Sequence, residues 1–212
     1  MTLDLSKIAL DQLMYGLSLG AVAMMAAAGV LEAGRKRFDL FGMVVVALAA
    51  ALGGGSLRDV LLERPVFWVA DQTYLIAALI AAMLTFFLAR IFALPARLFL
   101  IPDAAGLALF TISGTKAALV WGAPWLVASF MGVITGVMGG ILRDVLCNEE
   151  PLVFQGTLYA TAAWAGALVF LGLMTWRIDP GMAAVAGGVL IFVLRVAAIR
   201  WEIALPRFTA RL

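Results

Sequence analysis

The sequence contains no histidine and only one cysteine, Cys147. A single cysteine cannot form an intrachain disulfide, and it leaves no thiol cluster for a metal ion. No nucleophile–base pair is recognisable, and the segment Gly-Gly-Gly-Ser-Leu-Arg58 lacks the Lys-Ser/Thr pair of a phosphate-binding P-loop. No cofactor is therefore expected, and an enzyme is the least favoured class of function.

Charge is also scarce. Only 13% of the 212 residues are charged, 65% are hydrophobic, and the mean hydropathy is +1.08. Soluble domains have roughly 25% charged and 45–50% apolar residues. Within lipid only helices and closed barrels satisfy their own backbone hydrogen bonds, and the apolar runs here are continuous, not alternating. The sequence therefore predicts an all-α integral membrane protein surrounded by lipid. Its basic residues lie in loops and not in a patch, which argues against nucleic-acid binding.

Charged turns and prolines divide the chain into seven predicted transmembrane helices within a single domain, 1–212. The second is predicted to be broken at Gly53-Gly54-Gly55 and the fifth at Gly139-Gly140. The predicted spans cover about 11–31, 40–62, 73–94, 101–120, 124–150, 157–176 and 181–198.

The distribution of basic residues predicts the orientation in the membrane. Short cytoplasmic loops are rich in Lys and Arg, so the N-terminus is expected outside and the C-terminus inside. The predicted inner side then carries Arg35, Lys36, Arg37, Arg90, Arg97, Arg200, Arg207 and Arg211, and the outer side carries only Lys7, Arg64 and Arg177.

The sequence contains an internal repeat. Gly54-Gly-Ser-Leu-Arg-Asp-Val-Leu61 and Gly139-Gly-Ile-Leu-Arg-Asp-Val-Leu146 agree at all but one position, so position n of the first copy corresponds to position n + 85 of the second. This repeat offset crosses three spans, and an odd number of spans reverses the direction in the membrane. The two halves, about 11–94 and 99–176, are therefore predicted to form an inverted repeat, followed by an extra helix at about 181–198.

The repeated glycines allow two interpretations. Paired glycine-interrupted helices in an inverted repeat indicate a substrate or ion path near the membrane midplane, formed here by Gly53, Gly54, Gly55, Gly139 and Gly140. Alternatively, small residues permit close helix packing. The charges that follow each glycine group favour the path, because a charge at membrane depth is costly unless it is paired or hydrated.

Arg58-Asp59 and Arg143-Asp144 are those charges. Because sequence neighbours do not face each other on a helix, the expected pairs are Arg58 with Asp144 and Arg143 with Asp59. These residues either clamp the broken helices together or take part in conduction, and both roles can coexist.

Lys116 is a further charge inside a predicted span, and Leu31 is its counterpart in the repeat. It is expected to face a water-filled cavity or an acidic side chain, and it would gate a pore or contact an anion there. Alternatively, it snorkels outward to the interface near Trp121.

Several of these segments resemble a bacterial inner-membrane family known by its glycine-transporter domain, whose members are prokaryotic orthologues of the trimeric intracellular cation (TRIC) channels. The resemblance covers roughly residues 14–195, and Met138 replaces the first glycine of the family's second triplet. The segments that carry it are Asp39-Leu-Phe-Gly42, the doubled glycine motif, Pro-Val-Phe-Trp68, Pro-Leu-Val-Phe154 and Leu-Tyr-Ala160.

This resemblance implies a multi-pass protein of the bacterial inner membrane. It further implies a homotrimer with one path per protomer, permeable to monovalent cations such as K⁺ and lined partly by the two glycine-broken helices. Two alternatives remain: a secondary transporter of glycine or another small zwitterion, with helix N-termini holding its carboxylate, and a scaffold that transports nothing.

Overall fold

The structure is a computed structural model that describes residues 5–92, 95 and 97–206, the first seven of them by their backbone alone. Within these ranges the chain is helical throughout its apolar segments. The helices are α1 (Leu5–Arg35), α2 (Leu40–Leu61), α3 (Phe67–Ala70), α4 (Thr73–Ile91), α5 (Leu100–Trp121), α6 (Trp125–Leu146), α7 (Ala160–Thr175) and α8 (Pro180–Trp201), with a 3₁₀ turn at Leu152–Phe154.

The predicted seven-helix membrane fold is confirmed. Six helices among the described residues are long and apolar enough to cross a membrane, and α7 is a shorter apolar helix of 16 residues. Both α6 and α7 are shorter than predicted, because residues 147–159 form a connection that contains the 3₁₀ turn. The predicted third span reached residue 94, but α4 ends at Ile91, and residues 93 and 94 lie outside the described part of the chain.

The internal repeat extends to the turns that end the helices. Arg37 after α1 and Gly122 after α5 both have positive φ angles, 58° and 98°. Glu63 after α2 and Asn148 after α6 have φ angles of 51° and 53°. The members of each pair are related by the repeat offset. A residue in the left-handed backbone conformation ends a helix. Equivalent helices of the two halves therefore end in the same way.

The two halves are inverted. An ion pair of 2.7 Å joins Lys36, just after α1, to Glu149, just after α6. Hence α2 begins at the end of the molecule where α6 finishes, and these equivalent helices run in opposite directions.

We call this end the basic end and the other the opposite end. Six of the arginines and lysines predicted on the inner side lie at the basic end: Arg35, Lys36, Arg37, Arg90, Arg97 and Arg200. Arg207 and Arg211 lie outside the described residues. The opposite end contains Asp71, whose carboxylate accepts a hydrogen bond of 2.8 Å from Tyr15.

The predicted helix breaks at the glycines are not present. Both α2 and α6 continue without interruption through the glycine groups. A Cβ atom at Gly54 would overlap the carbonyl oxygen of Thr135, and one at Gly139 would overlap that of Ala50. The absence of side chains thus brings the two backbones into contact, while each helix keeps its own hydrogen bonds, which lipid cannot replace.

Two apolar clusters lie around this contact, each formed mainly by one half. One joins α1, α2 and α4 and adds Phe110 of α5. The other joins α5, α6, α7 and α8 and adds Met14 of α1. The α2–α6 contact therefore lies where the two halves meet, and it positions the residues at the ends of both helices.

This packing predicts that Gly54→Ala destabilises the folded protein. The added Cβ meets the backbone of α6, which cannot rotate away, and overpacking costs about 1–3 kcal/mol. Thermal unfolding in detergent, followed by loss of monodisperse protein, should show a lower midpoint. Gly172→Ala is the matched control, because a Cβ there meets nothing within 4 Å; it should leave the midpoint unchanged or raise it. Equal midpoints for both variants would contradict the close contact.

Candidate functional site

The repeated arginines bind the aspartates next to them. Arg58 donates from Nε and Nη2 to the carboxylate of Asp59 at 2.8 and 2.9 Å, and Arg143 donates from Nε to Asp144 at 2.8 Å. The predicted cross-pairs, Arg58 with Asp144 and Arg143 with Asp59, are wrong. Because α2 and α6 run in opposite directions, these two motifs lie at opposite ends of the molecule and cannot reach each other.

Each aspartate also holds the connection that follows its helix. The second carboxylate oxygen of Asp59 accepts a hydrogen bond from the backbone N–H of Phe67 at 2.9 Å. Asp144 accepts the equivalent bond from Leu152 at 3.0 Å. The guanidinium of Arg58 lies 5.5 Å from the ring centroid of Phe67, a cation–π contact. These contacts have the geometry of a clamp between a helix end and its following loop.

The second half adds a buried carboxylate to this arrangement. Asp103 is fully buried on α5, and its Oδ1 accepts hydrogen bonds from Nη1 of Arg143 and from the hydroxyl of Tyr159. Its Oδ2 has no hydrogen-bond partner among the described residues. The equivalent position of the first half is Ser18. The second arginine therefore has two carboxylates and the first has one.

A third buried arginine completes the network in the second half. Arg195 of α8 donates to the carbonyl of Leu158 at 2.8 Å and lies 4.5 Å from the ring centroid of Tyr159. Sequence reasoning missed the roles of both Asp103 and Arg195. The available signal was that each is a charged residue inside a predicted span, which is costly in lipid unless the charge is paired.

A cavity of about 450 Å³ opens at the basic end, and we call it the basic-end vestibule. Its wall includes the segment after α8, where the N–H of Leu205 donates to the carbonyl of Gly156 at 2.6 Å. The residues that line this cavity are Glu32, Arg35, Arg97, Phe99, Leu100, Asp144, Glu149, Glu150, Leu152, Gln155, Thr157, Arg195, Ala198, Ile199, Glu202 and Ala204. The hydrogen bond and charge of Lys36 hold the pKa of Glu149 below its ordinary value.

A second cavity, of about 280 Å³, opens at the opposite end, and we call it the opposite-end vestibule. Its lining includes the half-buried Lys116, which was predicted to face a cavity. The full lining is Met14, Tyr15, Ser18, Arg58, Arg64, Phe67, Tyr74, Phe110, Ser113, Lys116, Ala117 and Val120.

The two vestibules are equivalent by the inverted repeat. Under the repeat offset, six pairs of equivalent positions line the two cavities: Met14 and Phe99, Tyr15 and Leu100, Arg64 and Glu149, Phe67 and Leu152, Ala117 and Glu32, and Val120 and Arg35. The fold therefore builds the same polar recess twice, once at each end of the helices. Helix α8 and the segment after it line only the basic-end vestibule.

The predicted glycine positions lie between the vestibules, and Gly53, Gly54 and Gly139 face the α2–α6 contact. A Cβ at Gly53 would overlap the side chain of Leu142, and one at Gly55 would overlap the ring of Phe67. On α6, a Cβ at Gly140 would press against the hydroxyl of Tyr159. The structure thus brings the glycines together at the centre and places the arginine–aspartate pairs on either side of them.

Comparison with known proteins agrees with this architecture. The family model described as glycine transporter matches residues 15–90 and again 100–175, two ranges related by the repeat offset. The UPF0126 inner membrane protein YadS of Escherichia coli is 43% identical over 92% of this chain and 96% of its own length. A UPF0126 membrane protein of Vibrio cholerae is 40% identical over 96% of this chain and 86% of its own length.

Solved structures share the fold. A TRIC trimeric intracellular cation channel orthologue from Rhodobacter sphaeroides has a TM-score of 0.85 and 38% identity, covering 90% of this chain and 98% of that one. A further TRIC cation channel has a TM-score of 0.82 and 30% identity, covering 92% of this chain and 97% of that one. By its doubled family match and its relatives, the chain belongs to the glycine transporter family, and its fold is similar to that of solved TRIC cation channels.

Proposed function

We propose that the protein is a monovalent cation channel that conducts K⁺ along the line joining the two vestibules. The observation that carries this proposal is the pair of equivalent polar recesses, one at each end, on either side of the α2–α6 contact. The TRIC cation channels that share the fold support the same reading. A fold shared with channels also favours transport over catalysis.

The direction of the helices adds one negative helix end to each vestibule. The C-terminal end of α2 borders the opposite-end vestibule, and that of α6 borders the basic-end vestibule. A helix C-terminus carries about half a negative charge. The buried arginines near these ends are neutralised by Asp59 and Asp144, so the helix carbonyls retain their attraction for a cation.

The narrow part of the path is the glycine contact. Gly53, Gly54 and Gly139 leave no side chain to fill a space if α2 and α6 separate, so backbone carbonyls would line the opened gap. Gly55 and Gly140 leave room for Phe67 and Tyr159, which pack against the other sides of the two helices. Carbonyl oxygens replace the hydration shell of K⁺ in selective pores. In this proposal the path is closed when α2 and α6 pack against each other. The glycines act as hinges when the two helices separate and the path opens.

The assembly and placement follow from the family resemblance. We propose a homotrimer with one path in each protomer, spanning the bacterial inner membrane with the basic end inside. The concentration of basic loops at that end supports this orientation. The proposed permeant ion is the sole ligand required, and no cofactor enters the mechanism.

A secondary transporter of glycine or another small zwitterion is the second candidate. It is favoured by the description of the family model and by a packed centre between two recesses, which is also the form of an occluded transporter. A channel passes many ions each time its path opens, and a transporter does not. A recording of unitary currents therefore distinguishes the two functions.

Purified protein in planar lipid bilayers should give unitary currents in KCl and none when choline replaces K⁺, because an open path passes many ions per opening. The same preparation in liposomes should show no saturable uptake of labelled glycine. Saturable glycine uptake without unitary currents would instead establish the transporter. If intact oligomers give neither unitary currents nor glycine uptake, the protein is a scaffold that transports nothing.

A reversible cross-link tests whether α2 and α6 must separate. In Gly53→Cys/Leu142→Cys, the smaller side chain at position 142 makes room for a thiol at position 53, where the two residues already touch. Oxidation should abolish the K⁺ current and reduction should restore it. The buried Cys147 can stay in place, and each single variant is the matched control. Full current with the disulfide formed, as judged by mass spectrometry, would remove this contact from gating.

A further inference from the structure

The opposite-end vestibule is lined by cationic side chains. Arg58, Arg64 and Lys116 face it, and no carboxylate is among the described residues that line it. Two carboxylates contact this lining from outside it: Asp59 pairs with Arg58, and Asp71 accepts a hydrogen bond from Tyr15. They balance the two arginines, so the vestibule is neutral when Lys116 is left out of the count.

The lining of the basic-end vestibule has the reverse balance, although the loops around it are basic. Five carboxylates line it against three guanidinium groups. The carboxylates belong to Glu32, Asp144, Glu149, Glu150 and Glu202, and the guanidinium groups to Arg35, Arg97 and Arg195. Outside this lining, Lys36 pairs with Glu149 and brings the balance one charge nearer to neutrality without changing its sign. Buried Asp103 and Arg143 cancel each other.

This contrast arises at equivalent positions of the repeat. Arg64 in the first half is replaced by Glu149 in the second, and Ala117 in the opposite-end vestibule corresponds to Glu32 in the basic-end vestibule. The segment after α8, which has no counterpart in the repeat, adds Glu202. Equivalent positions of the scaffold therefore carry different charges at the two ends.

From this contrast we infer that the path rectifies, passing cations more readily from the basic end to the opposite end than in reverse. The inference rests on the proposed channel function. At 0.1 M salt the Debye length is about 10 Å, so the charges of one small vestibule act together on an ion inside it. Cations are therefore more concentrated before entry from the basic end than before entry from the opposite end.

The test uses single-channel recordings in symmetric 0.1 M KCl. The recordings use the variant Tyr15→Cys as the reference protein, because its thiol lies in the opposite-end vestibule. A membrane-impermeant thiol reagent added to one chamber after each recording then reports the orientation. The current carried by K⁺ leaving the basic end should exceed the reverse current by about two- to fivefold at equal and opposite voltages. At 1 M KCl, where the Debye length is about 3 Å, the ratio should approach one.

A charge exchange at the equivalent positions assigns the effect. In Arg64→Glu/Glu149→Arg the total charge is unchanged, and the ratio should fall to one or reverse. Arg177→Glu is the control, because Arg177 is exposed at the opposite end and lines neither vestibule. Its ratio of currents in the two directions should equal that of the reference variant Tyr15→Cys. Currents that are equal in both directions, or unaltered by the exchange, would overturn rectification by vestibule charge and leave the channel proposal intact.

A second readout does not depend on conduction. Thiols at Tyr15→Cys and Leu100→Cys occupy equivalent positions in the two vestibules. The ratio of reaction rates with cationic and anionic thiol reagents should be about tenfold higher at position 100 than at position 15 in low salt. Equal ratios would overturn the charge contrast itself. Unequal ratios in a protein that passes no current would overturn the channel proposal and its rectification together, while upholding the contrast.

Discussion

The contact between α2 and α6 at their glycines determines the rest of the structure. Because Gly54 and Gly139 carry no side chains, each helix lies against a backbone carbonyl of the other. Two helices that touch so closely, running in opposite directions, must present their C-terminal ends at opposite faces of the molecule. The arginine–aspartate pairs that follow the glycines are thereby separated, and a polar recess forms beside each pair.

The placement of charge follows from the cost of burying it. A buried ion pair is a weak source of net stability, whereas removing one partner costs about 3–5 kcal/mol. Local pairing of Arg58 with Asp59 avoids a lone charge without depending on the other half of the protein. Arg143 is more deeply buried than Arg58, and Asp103 supplies it with a second carboxylate. The more deeply buried arginine is thus the one that pairs with two aspartates.

The fold was largely predictable, and the site only in part. The seven apolar runs and the internal repeat determine the number and inversion of the helices, because lipid permits few alternatives. The helix breaks were wrongly predicted because the same group of glycines occurs where a helix bends and where two helices pack closely together. The cross-pairs failed because they assumed that both motifs meet near the membrane midplane, whereas each lies in the last turns of its helix and the inversion separates the two. Asp103 was missed because its counterpart is Ser18, so the repeat itself concealed it.

An inverted repeat builds a path with two equivalent halves, and such a path has no preferred direction by shape alone. Direction must come from what the repeat does not duplicate. Here the differences are side chains at equivalent positions, such as Arg64 and Glu149, and the unpaired helix α8 with the segment that follows it. These elements change the charge of the recesses without disturbing the glycine contact between them. The same protein can therefore keep a symmetric scaffold for opening while the two entrances diverge in their electrostatics.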